Sequence, residues 1–203
     1  NAGYTETETI LNEWNYVRAW QPADQILYSY RTISSLKGSA FVCSSMIACQ
    51  HSPLDHLMYY DARINTSWNG LFENPSQRPL KPYWGLRCFS ELYKLGSEAA
   101  CSCDEPAVKA AAAISEDGSE AAILLSYYLD RDSIDGSGCD EDELKVRIAW
   151  DGFTSADGVT AEYRVLDAAH DAEAVSDETF FGEKCAHIRR LPLYTTLLVK
   201  LKR

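Results

Sequence analysis

A single carboxylate near the start of the chain, Glu13, stands among side chains suited to support a reaction. Asn12 precedes it, Trp14 and Asn15 follow it, and an apolar pair at residues 10–11 comes just before. A carboxylate can act as general acid, general base or nucleophile, and neighbouring amides can hold it ionised through hydrogen bonds. Enzymes with parallel strands carry such groups at the carboxyl ends of those strands. The pattern therefore predicts a short strand that ends in a catalytic Glu.

Three helices are needed to position that strand. Apolar residues recur at helical spacing over residues 23–36, 39–50 and 83–95. A Lys-Gly pair ending at Gly38 predicts a break between the first two helices, and Gly96 is placed to cap the third. The second helix is small and apolar on nearly all sides, so it is expected to be buried against other elements.

The second half of the chain has the pattern of β-strands. Period-two alternation occurs at residues 108–114, 121–129, 144–150, 159–166 and 195–201. Asp-Gly pairs at 117–118 and 157–158 are turn signals. With a further short strand expected at 56–63, the order of elements predicts an α+β fold in two parts, residues 1–98 and 99–203.

Four segments resemble pieces of a known enzyme family. They are residues 10–15, 57–63, 67–72 and 81–84. In that order they resemble strand seven, strand eight, the following loop and the start of helix eight in retaining (β/α)8-barrel glycoside hydrolases, most similarly glycoside hydrolase family 39, which is β-xylosidase-like. The resemblance implies a partial (β/α) barrel segment, its last two βα units, in the first half. It implies an antiparallel β-sandwich accessory domain in the second half.

The resemblance also implies roles for individual residues. The residue matching Glu13 is the nucleophile of a double displacement, which acts with a separate carboxylic acid about 5 Å away. Trp68 matches the aromatic floor of a sugar subsite, and Asn12, Trp14 and Asn69 are expected to contact the substrate as well. A second role stays open for Glu13, that of the general acid/base. In the enzymes that the chain resembles, an Asn-Glu pair also marks the acid/base at the end of strand four, and Thr more often precedes the strand-seven Glu.

The order of elements favours strand seven, since only one more barrel-like strand precedes the sandwich. The implied activity is hydrolysis of β-linked sugars, of xyloside type. No segment matches the acid/base strand, so we expect the chain to be inactive alone and to be the C-terminal portion of a longer enzyme.

A non-catalytic carbohydrate-binding or dimerisation module is the alternative function for this chain. Apolar helix faces left uncovered by missing barrel strands would favour a homodimer.

Composition narrows the class of protein. A net charge of -11 argues against nucleic acid as a partner, and no apolar run approaches the ~20 residues that span a membrane. Seven scattered cysteines indicate free thiols and a cytoplasmic, bacterial-type protein. No Cys/His cluster has the spacing of a metal site, so we expect neither metal nor cofactor. We interpret Asn1 and Ala2 as the remnant of a cleaved tag.

Overall fold

The α-helices lie in the first half of the chain and most strands lie in the second in a computed structural model, which describes residues 6–203. Asn1 and Ala2 lie outside the described residues. The α-helices are α1 (Ala23–Ile33), α2 (Leu36–Cys49) and α3 (Lys81–Leu95). The strands are β1 (Ile10–Trp14), β2 (His56–Tyr59), β3 (Gly96–Ala99), β4 (Val108–Ser115), β5 (Glu120–Tyr127), β6 (Leu144–Asp151), β7 (Val159–Leu166), β8 (Asp171–Phe180), β9 (Lys184–Leu191) and β10 (Thr196–Lys202).

The first two strands lie side by side in parallel. Ile10 is opposite His56, and Trp14 is opposite Tyr59. Helices α1 and α2 form the crossover that parallel neighbours require, so the carboxyl ends of both strands meet at the same edge. The pair has the local arrangement of two successive βα units, while a barrel around it remains a proposal.

The other strands form two antiparallel layers. One sheet has the order β3-β4-β5-β10-β7-β8, and β6 pairs with β9 in a separate two-stranded sheet. The two sheets share an apolar core, so this half of the molecule is consistent with the predicted β-sandwich. The division of the chain into two domains at residue 98 stays a prediction. The first strand of the larger sheet, β3, begins at Gly96, two residues before that predicted boundary.

The larger sheet has a second apolar face, and the helices cover it. Alternate residues of β4 and β5, such as Ala113 and Leu124, pack with Cys43 and Ile47 of α2 and with Leu92 of α3. Because side chains of a strand alternate between its two faces, one sheet can support both cores. The apolar surface of α2 is therefore covered within the chain itself.

The boundary between the first two helices differs from the sequence prediction. The break between α1 and α2 lies before Lys37 and Gly38, at Ser35, whose hydroxyl accepts a hydrogen bond from the Gly38 amide at 3.3 Å and caps α2. Gly38 lies inside α2, and a Cβ at this position would approach the Thr32 carbonyl oxygen to 2.2 Å, so the close contact with α1 requires glycine. The first helix correspondingly ends at Ile33 rather than at residue 36.

Strands β3, β8 and β9 were not predicted. Strand β8 lies at the edge of the larger sheet and is mostly exposed, so its sequence has little apolar alternation. Strand β9 places charged and polar side chains such as Arg189 on its inner face. The predicted role of Gly96 is confirmed, since this residue caps α3 with a φ of 93°.

Residues 6–203 show three features that concern membranes, metals and thiols. None of the α-helices there is long and apolar enough to cross a membrane. No three His, Cys, Asp or Glu side chains within the same range come together in a way that could hold a metal ion. All seven cysteines are free thiols, and burial raises the pKa of Cys43 to about 12.

Candidate active site

Glu13 lies one residue before the end of β1. Both Glu13 and Asn12 are exposed, and Trp14, the last residue of the strand, is half-buried. Trp14 pairs with Tyr59 at the end of β2, so the carboxylate stands at the edge where the two parallel strands end. This is the position that the sequence predicts for a catalytic group.

Trp14 packs against the protein. Its ring stacks on Phe41 of α2 with centroids 5.5 Å apart and 22° between the planes, and it meets the edge of Tyr59 at 6.1 Å. These contacts fix the end of β1 against α2 and β2. The predicted contact between Trp14 and substrate stays a prediction.

Trp68 is the centre of a group of four rings. Its centroid lies 5.5 Å from that of Trp20, 5.1 Å from Tyr30 and 6.3 Å from Tyr60. Trp20 follows β1, Tyr30 belongs to α1 and Tyr60 follows β2, so separate elements bring the rings together. We call these four residues the aromatic cluster. Trp20 is 64% exposed, so the cluster presents one aromatic ring to solvent.

Asn15 holds the end of β1 to the aromatic cluster. Its side-chain amide donates to the carbonyl oxygen of Tyr60 at 2.6 Å and to that of Trp68 at 3.2 Å. Its Oδ1 accepts a hydrogen bond from the Tyr16 amide at 2.8 Å. One side chain thereby orders the next backbone amide and two carbonyl groups from a distant part of the sequence.

The loop that carries Trp68 depends on two further residues. Asn69 Oδ1 accepts hydrogen bonds from the amides of Leu71 and Phe72, and its Nδ2 donates to the Phe72 carbonyl, so this amide orders the loop. Gly70 packs against the end of α1, where a Cβ would approach the Ile33 carbonyl oxygen to 2.3 Å. The contact of Asn69 with substrate was predicted and is not tested by these bonds.

A buried carboxylate lies beside the cluster. Asp61 is 7% exposed and accepts hydrogen bonds from the Arg63 amide (3.1 Å), from Arg63 Nε (2.9 Å) and from the Thr66 hydroxyl (2.8 Å). Burial raises the pKa of Asp61, but the bonds from Thr66 and Arg63 outweigh it and hold this pKa below its usual value. Arg63 Nη2 also forms an ion pair with Asp61, at 2.8 Å.

Three members of the cluster were missed by sequence reasoning. Tyr30 has the spacing of a core residue on α1, Tyr60 belongs to the segment read as strand eight, and Trp20 lies in an irregular segment. The available signal was the density of aromatic residues near Trp68, but their spacing in the sequence does not place them together. Only the packing of α1 on the ends of β1 and β2 does so.

A cavity of about 930 Å3 lies away from Glu13 and from the aromatic cluster. It is a groove in the sandwich between the small side chains of β4 and β5, such as Ala110 and Ala112, and strand β6 with Trp150. Its volume suits a ligand, but no carboxylate of the β1–β2 edge faces it. The groove is therefore not part of the candidate active site.

Solved structures similar to this chain are glycoside hydrolases. One is a glucosidase from Croceicoccus marinus, with a TM-score of 0.72 and 17% identity over 99% of this chain and 47% of that one. Another is a GH39 enzyme from Xanthomonas axonopodis pv. citri, with a TM-score of 0.68 and 9% identity over 96% and 44%. A GH30 endoxylanase from Clostridium papyrosolvens C71 has a TM-score of 0.61 and 12% identity over 97% and 42%.

These similarities establish the fold. The chain has a glycoside-hydrolase-related fold, with a GH39 enzyme among its structural neighbours, and it spans less than half of the length of each of the three. No protein-family model matches the chain, and no curated protein matches its sequence.

Proposed function

We propose that a protein containing this chain is a retaining glycoside hydrolase that cleaves β-linked sugars of xyloside type. The observation that carries the proposal is the exposed Glu13 at the carboxyl end of β1, next to the parallel strand β2 and at the same edge as the aromatic cluster. The structural neighbours support a glycosidase-related fold for it.

In the proposed mechanism Glu13 attacks the anomeric carbon and forms a covalent glycosyl-enzyme, which water then hydrolyses. A second carboxyl group, about 5 Å away, protonates the departing oxygen and later activates the water. Trp68 and Trp20 would pack against the C–H face of the sugar. Asp61 is unsuited to the acid role, because Arg63 and Thr66 stabilise its ionised form. No residue of the described part of the chain is assigned as the acid.

Replacement of Glu13 by Ala, in a protein that joins this chain to the rest of a barrel, tests the proposal. We expect turnover of an aryl β-xyloside to fall at least about 1000-fold, since the covalent intermediate no longer forms. Added azide should restore turnover and yield the α-glycosyl azide, because azide replaces the nucleophile on the face opposite the leaving group. Products are identified by NMR.

The stereochemistry also decides between the two roles left open for Glu13. A β-glycosyl azide would make Glu13 the acid/base, and unchanged activity would remove it from the mechanism. Glu116→Ala is the matched control, because Glu116 is an exposed carboxylate in the turn between β4 and β5 and should leave turnover unchanged.

Sugar binding without catalysis is a second candidate function, favoured by the 64% exposure of Trp20. It predicts that the 203-residue chain alone binds xylobiose with a saturable change in tryptophan fluorescence. Trp20→Ala would abolish that change, whereas Glu13→Gln would leave it intact. Absence of any saturable change would exclude this second function.

A further inference from the structure

The smaller sheet of the sandwich has an edge without a neighbouring strand, and a groove lies beside it. Strand β6 pairs with β9 alone among residues 6–203. All of β6 lines the cavity of about 930 Å3 described above, except for its first residue, and residues 99–105 line it as well. Side chains of β4 and β5 form its floor. We call this cavity the edge groove.

The pairing with β9 determines which backbone groups of β6 point away from that strand. The Gly152 amide donates to the Glu183 carbonyl at 3.1 Å, in register with the β6–β9 ladder, so the even-numbered residues of β6 bond to β9. In an antiparallel pair the residues between them direct their N–H and C=O groups away from the partner strand. Residues 145, 147, 149 and 151 therefore present these groups along the free edge of β6.

The floor of the edge groove is an uncovered part of the sandwich interior. Ala110, Ala112 and Ile114 lie on the same face of β4 as Val108, which faces the sandwich core. Val108 is 2% exposed, whereas the other three are only half-buried. Two strands in the smaller sheet face six in the larger one. The small side chains of this floor therefore leave room for apolar side chains of a further strand.

The outward-facing side chains of β6 are mainly cationic. Lys145 and Arg147 are both exposed. Directly opposite side chains of neighbouring strands lie about 5 Å apart, so acidic residues of a further strand would meet these two cations. Asp104 and Glu105 also line the edge groove, and the Glu105 carboxylate accepts a hydrogen bond from the Ala107 amide at 3.1 Å. These carboxylates belong to a loop, so the cross-strand contacts with β6 set the charge preference.

The exposed edge and floor also indicate where such a strand would come from. A free sheet edge beside uncovered apolar surface promotes aggregation, which favours a permanent occupant over a transient one. A segment of the same polypeptide is always present at high effective concentration. This chain spans less than half of the length of the similar glycoside hydrolases, so a parent protein of that size has further chain to supply.

We propose that the edge groove receives one extended strand of the parent protein from outside residues 1–203. The strand pairs with β6 through main-chain hydrogen bonds, directs alternate apolar side chains onto β4 and β5, and carries acidic side chains on its outward face. Addition of a strand to a free sheet edge is a general mode of polypeptide recognition. The inference shares with the proposed function the premise of a longer protein, but it does not depend on Glu13.

A peptide titration of the 203-residue chain tests the pairing with β6. The probe is acetyl-Glu-Val-Glu-Ile-Glu-Val-Glu-amide, and amide shifts of the 15N-labelled protein are followed by NMR. We expect saturable shifts confined to β4, β5, β6 and residues 99–105. N-methylation of one alternate set of probe residues should abolish binding, because those N–H groups pair with β6, and N-methylation of the other set should not. No saturable shift, or equal loss with both sets, would overturn the strand pairing.

A second probe tests the charge preference. The same peptide with Lys in place of each Glu should bind at least about five-fold more weakly, since its cations lie beside Lys145 and Arg147. Equal binding of the two peptides would overturn the acidic outward face.

Two proline variants form a matched pair at opposite edges of the same sheet. Ala149 of β6 lies opposite Ala186 of β9, and both are exposed. The Ala149 amide points to the edge groove and the Ala186 amide points to the other edge, so neither proline removes a bond of the β6–β9 ladder. Ala149→Pro should weaken the acidic probe at least about ten-fold, and Ala186→Pro should leave its affinity unchanged.

Equal affinity in the two proline variants would show that the probe does not pair with β6. If Ala149→Pro does not fold, Ala112→Phe decides by the same criterion, because its ring would fill the floor of the edge groove.

Hydrogen exchange tests the source of the strand. In the longer protein that joins this chain to the rest of a barrel, the amides of residues 145, 147 and 149 should exchange at least about ten-fold more slowly than in the 203-residue chain. Equal exchange would overturn the parent protein as the source. Protection in the 203-residue chain that rises with its concentration would assign the edge to a second copy and would also overturn it.

The same measurement separates this inference from the proposed function. Glu13→Ala in the longer protein should leave the protection of β6 intact while turnover is lost. Protection without any glycosidase activity would support the strand and contradict the catalytic proposal, whereas activity without protection would do the reverse.

Discussion

At the scale of single residues, two carboxylates at one edge of the molecule have opposite environments. Glu13 is exposed at the end of β1, whereas Asp61, just after β2, is buried and accepts three hydrogen bonds. A carboxylate held in this way orders the protein around it, and its lone pairs are already used. The contrast supports a structural role for Asp61 and leaves Glu13 available to react.

A third carboxylate, Glu91 of α3, links stability to pH. It accepts hydrogen bonds from Lys94 at 2.7 Å and from Lys200 of β10 at 3.1 Å. The bond from Lys94 is the largest cause that lowers the pKa of Glu91, and burial opposes it. The pKa falls from about 4.5 to about 2. Because the folded pKa lies below the unfolded one, the stabilisation is complete above about pH 4.5 and is lost as pH falls towards 2.

We therefore predict that Glu91→Gln lowers the free energy of unfolding by about 1 kcal/mol at pH 7. The difference from wild type should shrink as pH falls from 4.5 to 2, measured by urea unfolding across that range. Glu116→Gln, on an exposed turn, is the control and should change little at any pH. If Glu91→Gln lowers the free energy of unfolding equally at pH 7 and pH 2, the charge of Glu91 is not the source of the stabilisation.

At the scale of elements, one buried cation joins the helices to the sandwich. Lys37 of α2 is fully buried, and its ammonium group contacts Asp130 and the Arg131 carbonyl, which follow β5. It also donates to the Tyr28 hydroxyl at 2.9 Å and lies 5.1 Å from the centroid of the Tyr16 ring. The Asp130 side chain is 59% exposed, so loss of Lys37 would leave the Arg131 carbonyl and the Tyr28 hydroxyl without their donor rather than leave a buried charge unpaired.

We predict that Lys37→Met destabilises the protein by about 1–2 kcal/mol, the size expected for lost hydrogen bonds from a charged donor. In thermal unfolding this corresponds to a decrease in Tm of roughly 2–8 °C for a chain of this size. The control is Lys202→Met, because Lys202 is 73% exposed and 3.4 Å from Glu120, and its ion pair should contribute less than about 1 kcal/mol. Wild-type stability in Lys37→Met would show that packing of the Met side chain replaces the ion pair.

At the scale of the whole molecule, apolar surface remains exposed at the small parallel sheet rather than on α2. Ile10, Leu11 and Met58 of β1 and β2 are 48%, 38% and 47% exposed, whereas α2 is covered by the sandwich. Exposed apolar residues on a sheet with only two strands favour association with another chain. The homodimer predicted from the sequence stays a prediction, for which β1 and β2 offer one exposed apolar surface.

We expect the 203-residue chain to form a dimer whose fraction increases with concentration, measured by light scattering after size exclusion. Leu11→Lys should shift the equilibrium to monomer, because a charge on this face opposes burial. Tyr93→Lys changes an exposed aromatic on α3 and should leave the equilibrium unchanged. A strictly monomeric wild type at high concentration would contradict the prediction.

Prediction from sequence succeeded where the pattern was local. Strands β4 to β7 and β10 alternate in hydrophobicity, and α3 carries Pro82 near its start and Gly96 at its end. It failed where a strand lies at a sheet edge or has a charged inner face, as in β8 and β9. It also misplaced the start of α2, because Gly38 is required by a contact with α1 and not by a turn.

For the candidate site, the sequence by itself determined which residues could act: Glu13 at the end of an apolar strand, followed by amides and aromatic side chains. Tertiary structure alone decided that Trp20, Tyr30 and Tyr60 surround Trp68, and that the sandwich covers α2. The physical reason is that hydrophobic periodicity reports which face of an element is buried, but not what covers it. The covering partner is set by packing between elements far apart in the chain.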